Sequence, residues 1–272
     1  MVQNKILCTG DPILDIYIEN NIMHHFNGGA LNIYQNILAL LENFWPDNPN
    51  DFMFAYPSEE EYIWGDIFNC YTIVRTSKET EGVPLATKQV SNIFYASCGI
   101  AEVISEFKPK ILVMGDYNKG SLNDFCSDPD TILPTIKYGV VDSRYRSLDF
   151  RWLETCETKI WHATGTEYDE EWAKPFDYVF WTNGDKPVKL LKDGELLATL
   201  LIPNDTPVTN TCGSGDTFTA AISACLYAYD SATDKNMVDY GNFAIQVCQN
   251  VVSMPYTSTT TKRINKECTL QI

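Results

Sequence analysis

The chain has 272 residues, 44% hydrophobic and 21% charged, a globular mix long enough to bury a large core. Twenty basic against 36 acidic residues leave a net charge of −16, which argues against a broad nucleic-acid surface but leaves room for a small anion pocket. No apolar run reaches the ~20 residues of a membrane span, Met1 to Gly10 lacks a secretory layout, and nine cysteines without paired CxxC spacing suggest reduced thiols and a cytoplasmic protein.

Lys5-Ile6-Leu7-Cys8-Thr9-Gly10 is a short apolar run closed by a turn residue, the pattern of a buried strand. Asp11 and Asp15 follow it. After Gly28-Gly29 the period changes, and Leu31, Tyr34, Leu38 and Leu41 mark one face of an amphipathic helix that ends at Trp45-Pro46. Residues 46 to 61, rich in Pro, Asn, Asp and Glu, read as an exposed connection. Further apolar strands are predicted at Lys110–Met114, Tyr138–Val141 and Asp177–Trp181, each followed at once by polar residues: Asp116, Asp142 and Asn183. Val188 to Ile202 reads as a hairpin turning at Asp193-Gly194. Helices are predicted over Asp216–Tyr229 and Met237–Val252.

Short buried strands alternating with helices predict one α/β domain over residues 1–272, with a mostly parallel sheet between helical layers. Ligands of such sheets bind beyond the carboxyl ends of the strands, where Asp11, Asp15, Asp116, Asp142 and Asn183 collect.

The stretch Asn210-Thr211-Cys212-Gly213-Ser214-Gly215-Asp216-Thr217 carries the most chemistry. Small residues before a helix leave backbone N–H groups unpaired at its positive end, and Gly213 and Gly215 let a phosphate approach closely. Asp216, in the first turn, is placed to accept a proton from an attacking hydroxyl. An anion hole beside a carboxylate suits transfer of a phosphoryl group to an alcohol. The plainer reading is an acid that merely complements the helix dipole. No Gly-Lys-Ser/Thr follows, so the loop is not a Walker motif.

Taken in order, Gly10-Asp11-Pro12-Ile13-Leu14-Asp15, Gly28-Gly29-Ala30-x-Asn32, Asp116-Tyr117-x-Lys119-Gly120, Asp142-Ser143-Arg144 and Gly213-Ser214-Gly215-Asp216 resemble the ribokinase-like carbohydrate kinases. Within that family the likeness leans to the heptose-phosphate kinase domain of ADP-heptose synthesis. The resemblance implies a three-layer α/β/α fold and an ATP-dependent, Mg2+-assisted kinase with Asp216 as base and the amides of Gly213, Ser214 and Gly215 as anion hole. It further implies that Asp15, Gly28, Gly29, Asn32, Lys88 and Asp116 meet a sugar or sugar phosphate. Arg75, Lys119 and Arg144 are the other cations available to a substrate phosphate. Asn183, Gly184, Ile245, Cys248 and Thr257 would lie by the nucleotide. Glu167, in Thr164-Gly165-Thr166-Glu167, would act on Mg2+ through water.

The sequence departs from the family at Thr164, Asn210 and Cys212, and it carries Gln246, Val247, Gln249 and Tyr256 where smaller residues are expected near adenine. The dozen residues between Asp15 and Gly28 suggest a reduced lid, and with it a monomer or weak homodimer. These departures leave open an alternative, a degenerate relative that binds a sugar or nucleotide without transferring phosphate.

Overall fold

The computed structural model describes residues 5–19, 22–46, 52–55, 71–76, 89–90, 100–118, 121–122, 132–144, 146–203 and 206–257. The central sheet is built from β1 (Ile6–Gly10), β4 (Phe52–Ala55), β7 (Ile111–Asp116), β8 (Ile136–Ser143), β9 (Cys156–Thr164), β10 (Tyr178–Asn183), β11 (Lys186–Lys192) and β12 (Glu195–Leu200). Their order across the sheet is β12-β11-β10-β9-β8-β7-β1-β4. Pairing is parallel from β4 through β10 and antiparallel in the β10–β11 and β11–β12 hairpins. The second hairpin turns at Asp193-Gly194, as predicted, and both residues have left-handed φ, +50° and +82°.

Every residue of β1 and β7 is buried, which is why these strands read as unbroken apolar runs. Alternate side chains go to opposite faces. Ile6, Cys8, Ile111, Val113 and Val140 pack with helices α1 (Gly29–Phe44), α4 (Ser214–Tyr229) and α5 (Asp234–Val252). Leu7, Leu112, Met114, Val141 and Trp161 pack on the other side with α2 (Ile100–Phe107), a 3-10 turn at Phe150–Leu153 and the short α3 (Glu170–Ala173). The result is three layers, held by side chains that each contribute about 2 kcal/mol when fully buried. Among the described residues no helix is long and apolar enough to cross a membrane.

Two sequence expectations are corrected. Phe52–Ala55, inside the expected exposed connection, is the edge strand β4, paired in parallel with β1. The short segment after Asp15, expected to be too brief for two lid strands, also holds a paired strand and its return. A second sheet contains β2 (Pro12–Glu19), β3 (Ile22–Gly28), β5 (Tyr71–Thr76) and β6 (Gln89–Val90) in the order β3-β2-β5-β6. β2 and β3 stay in register from Ile13↔Gly28 to Glu19↔Ile22. The excursion begins at Pro12, ahead of Asp15, so strands of eight and seven residues fit, each extending about 25 Å at ~3.3 Å per residue.

The carboxyl edge is drawn tight by glycines. Gly10 has φ +123°, and a Cβ on it would stand 2.1 Å from Gly115 O. This close approach lets Asp11 leave β1 and donate its amide to Gly115 O at 2.9 Å.

Candidate functional site

The site forms where α4 and α1 begin above the carboxyl ends of β7, β8 and β9. Gly213, at φ +82°, turns the chain into α4. That turn folds Ser214 back, so its amide donates to Thr211 O at 3.2 Å and its hydroxyl to the same oxygen at 2.8 Å. The Ser214 amide therefore has a partner within its own turn. The amides of Gly213, Gly215 and Asp216 have no partner among the described residues. A Cβ on Gly215 would lie 3.5 Å from His162 Cε1 and 3.8 Å from Thr164 Cγ2, so this amide turn faces the ends of β8 and β9.

Asp216 is 4% exposed. Asn32, in the first turn of α1, donates its amide to Oδ2 at 2.8 Å, and the Tyr117 phenol donates to Oδ1. Burial and the neighbouring Asp142 push this carboxyl up to about 6; Arg144, Tyr117 and Asn32 act in the opposite direction but do not win.

Beneath Asp216 lies a network that the sequence reading missed. Thr219 Oγ1 donates to Asp142 Oδ2 at 3.2 Å and lies 3.0 Å from His162 Nδ1, while His162 Nε2 lies 3.0 Å from Thr182 Oγ1. The His162 ring stacks on Phe218, and its Nδ1 is 3.7 Å from Asp142. Beside it, Glu167 Oε2 accepts from the Thr164 amide at 3.0 Å and from the Thr164 hydroxyl. Burial raises the Glu167 carboxyl above its usual range against the pull of Thr164 and Arg144. Arg144 is exposed at the mouth of this group, 5.4 Å from the centre of the Tyr117 ring. Desolvation works against its charge, but Tyr117, Asp216, Asp142 and Glu167 together hold the guanidinium above its usual range.

Of the described residues expected to meet substrate, Asn32 is the one hydrogen-bonded to Asp216. Asp116 is 0% exposed, and its two oxygens accept from Asn118 N, Ser143 Oγ, Ser147 N and Ser147 Oγ, so in this structure it clamps two loops. Asp11 does similar work, accepting the amides of Tyr117 and Ser121 at 2.8 and 3.1 Å. Gly28 and Gly29 serve close packing: a Cβ on Gly28 would meet Asp15 Oδ2 at 2.8 Å, and one on Gly29 would meet Asp11 O at 2.6 Å. Lys88 and Lys119 lie outside the described residues, and Arg75 is placed on β5.

Asp15, on β2 of the second sheet, is 2% exposed and accepts from Thr257 Oγ1 at 2.7 Å. The Tyr17 hydroxyl is 2.8 Å from the same Thr257 oxygen. Thr257 thus ties the end of the described chain to the lid. Thr257→Val is expected to lower stability by about 1–2 kcal/mol, read as a shift of the denaturant midpoint at unchanged slope.

No family model matches the sequence, and no curated protein matches it significantly. Solved structures do match, over nearly the full length of both chains. A ribokinase from Giardia lamblia shares 14% identity over 95% of this chain and 96% of its own, with a TM-score of 0.62. Arabidopsis thaliana ribokinase, complexed with ribose and ATP, shares 14% over 100% of both chains at 0.62. The aminoimidazole riboside kinase of Salmonella enterica, complexed with aminoimidazole riboside and an ATP analogue, shares 12% over 98% and 100% at 0.62. The fold is ribokinase-like. At these identities the likeness establishes the fold alone.

On the side where the resemblance puts the nucleotide, Asn183 and Gly184 are exposed at the turn between β10 and β11, and a Cβ on Gly184 would meet nothing within 4 Å. Cys248 Sγ donates to Ser214 O at 3.2 Å, which places α5 against the amide turn. Ile245 joins the core shared with Phe180 and Phe218. The bulky departures are also turned aside. Val247 is 0% exposed in the core, Gln246 faces solvent, and Gln249 Nε2 donates to Pro203 O at 2.9 Å. Tyr256, at φ +68°, turns to the lid and stacks on His24 and Phe26 with centroids 5.0 and 5.1 Å away. Tyr256 therefore adds an aromatic contact to the lid of this ribokinase-like fold.

Proposed function

We propose that the protein transfers the terminal phosphoryl group of ATP to a hydroxyl of a sugar or sugar phosphate. The observation that carries this reading is Asp216, buried beside the unpartnered amides of Gly213, Gly215 and its own residue. Those donors, at the positive end of a 16-residue helix, suit the charge that spreads over a transferring phosphoryl group. Asp216 takes the proton of the acceptor hydroxyl as its oxygen bonds to phosphorus and the bond to the ADP oxygen breaks. The neighbours' names point the same way: one was solved with ribose and ATP, another with a riboside and an ATP analogue.

The donor set also fits a magnesium ion held through water. Among the described residues no three His, Cys, Asp or Glu side chains converge to bind an ion directly, but Asp142 Oδ2 lies 4.0 Å from a Cβ built on Gly215 and Glu167 is held on the neighbouring Thr164, two carboxylates suited to holding Mg2+ through water. When bound, that ion neutralises phosphate charge. Thr164, which replaces an expected Asn, orients Glu167 through two donors. Arg144 is the counter-charge available to a phosphate on the acceptor, which keeps a heptose phosphate or similar sugar phosphate as the favoured substrate class.

A coupled ADP-release screen over sugars, sugar phosphates and nucleosides, with Mg2+ and ATP, tests the reading. Turnover with one of them is expected; absence of both ATP-induced thermal stabilisation and ADP release overturns it. ATP or sugar binding with no transfer to any acceptor supports the degenerate binder instead. Because the base must be ionised and its carboxyl sits at about 6, kcat/KM is expected to fall about tenfold per unit below pH ~5.5 and to level off above ~7.

A further inference from the structure

We propose, building on the phosphotransferase reading, that Tyr117 guards Asp216: its phenol occupies Oδ1 until an acceptor hydroxyl displaces it, so that phosphoryl transfer to water is suppressed. The phenol O–H donates to the carboxylate in the manner that an acceptor alcohol must adopt before losing its proton. Asn32 holds the other oxygen at 2.8 Å, and Asp216 is 4% exposed, so these two donors take up its approaches.

The unwanted reaction is simple. A water oxygen bonds to the terminal phosphorus, the bond to the bridging oxygen of ADP breaks, and the water proton passes to Asp216, giving ADP and inorganic phosphate. A phenol already donating to Oδ1 denies that proton its acceptor. Tyr117 is built to donate there and not to act as a base. Burial, followed by Asp142 and Asp216, raises its hydroxyl well above the usual range, so it stays protonated. Its amide is pinned to Asp11 Oδ2 at 2.8 Å, so displacement requires only rotation of the side chain. Arg144 lies over the ring at 5.4 Å and is exposed, so a phosphate carried by the acceptor competes with Tyr117 for the guanidinium and loosens the ring as the acceptor binds. Water, being neutral, offers no such pull.

The test compares the wild type, Tyr117→Phe, Asp216→Asn and the double variant, each with ATP and Mg2+ but no acceptor. Phosphate release by Tyr117→Phe is expected to exceed the wild-type rate by about tenfold or more, the worth of one hydrogen bond to a charged group. The double variant is expected to return to the Asp216→Asn rate. Equal or slower release by Tyr117→Phe, with ATP-induced thermal stabilisation intact, overturns the guard and leaves the phosphotransferase reading standing. If wild type shows neither ATP-induced stabilisation nor ADP release, both fall together.

A readout independent of turnover is the melting temperature against pH. The groups facing Asp216 are Asn32 from α1, Cys8 from β1, Tyr117, Asp142 and Arg144 from the strand ends, and Cys248 from α5. A carboxyl raised by folding loses stability as pH climbs from its unfolded value through its folded one. Removing the phenol donor raises it further, so Tyr117→Phe is expected to melt progressively below wild type as pH rises from about 5 to 8. The divergence is expected to vanish in the Asp216→Asn background. Parallel curves would show that the phenol does not act on this carboxylate and would overturn the proposal.

Discussion

Asp216→Asn is expected to lower turnover by about 10²–10⁴-fold while leaving ATP-induced thermal stabilisation in place. The substitution keeps the shape of the side chain and removes its charge and basicity. The introduced amide finds partners without rearrangement, because its oxygen can still accept from Asn32 while its NH2 meets the Tyr117 hydroxyl, which rotates to become an acceptor. The same substitution is expected to raise stability at pH 7. The carboxyl is pushed from 3.8 to about 6 by burial and by Asp142, so ionising it in the folded protein above that value works against folding. A neutral amide is expected to recover about 1–3 kcal/mol of that, read from denaturant melts at pH 7. Opposite signs for activity and stability mark a residue kept for chemistry. A variant that lost both would place Asp216 among the structural acids.

How far the sequence discloses this molecule depends on where the determining contacts lie. β1, β7, β8 and β10 are legible because a parallel strand covered on both faces must be apolar along its length, and each ends at a polar residue on the ligand edge. Helices α1, α4 and α5 show their period. β9 escaped because Cys156-Glu157-Thr158-Lys159 alternates with polar residues and only its second half is an apolar run. With β9 went His162, whose link to Asp142, Thr219 and Thr182 crosses three elements. A clue lay in Ile160-Trp161-His162-Ala163, a lone histidine in an apolar strand ahead of Thr164. The lid is hard to read for a different reason: its pairing begins at Ile13, ahead of Asp15, and draws on β5 and β6, which are distant in the chain. The Asp216 loop was legible because its chemistry is local, being a left-handed glycine, a helix start and an acid within four residues. Side-chain bonding across the chain, such as the four donors that converge on Asp116, was not.

Asp116→Asn is accordingly expected to damage the fold in preference to substrate binding, at a cost of about 2–4 kcal/mol. Oδ1 accepts the Asn118 amide and the Ser147 hydroxyl; Oδ2 accepts the Ser143 hydroxyl and the Ser147 amide. The hydroxyls can turn, but the two backbone amides cannot. Whichever way an asparagine is flipped, its NH2 group faces one of those backbone donors, in a site that is 0% exposed, so one N–H loses its acceptor and abuts another donor. The remaining bonds also lose the charge that makes a carboxylate the stronger acceptor. The damage falls on the loop that carries Arg144, whose amide donates to Asp116 O at 3.1 Å, and on the stretch that carries Tyr117. A lowered denaturant midpoint with kcat falling more than KM rises is therefore the expected result. A stable variant whose only defect is a raised KM for the acceptor would restore Asp116 to the substrate site and would show that its serine and amide donors let go when the sugar arrives.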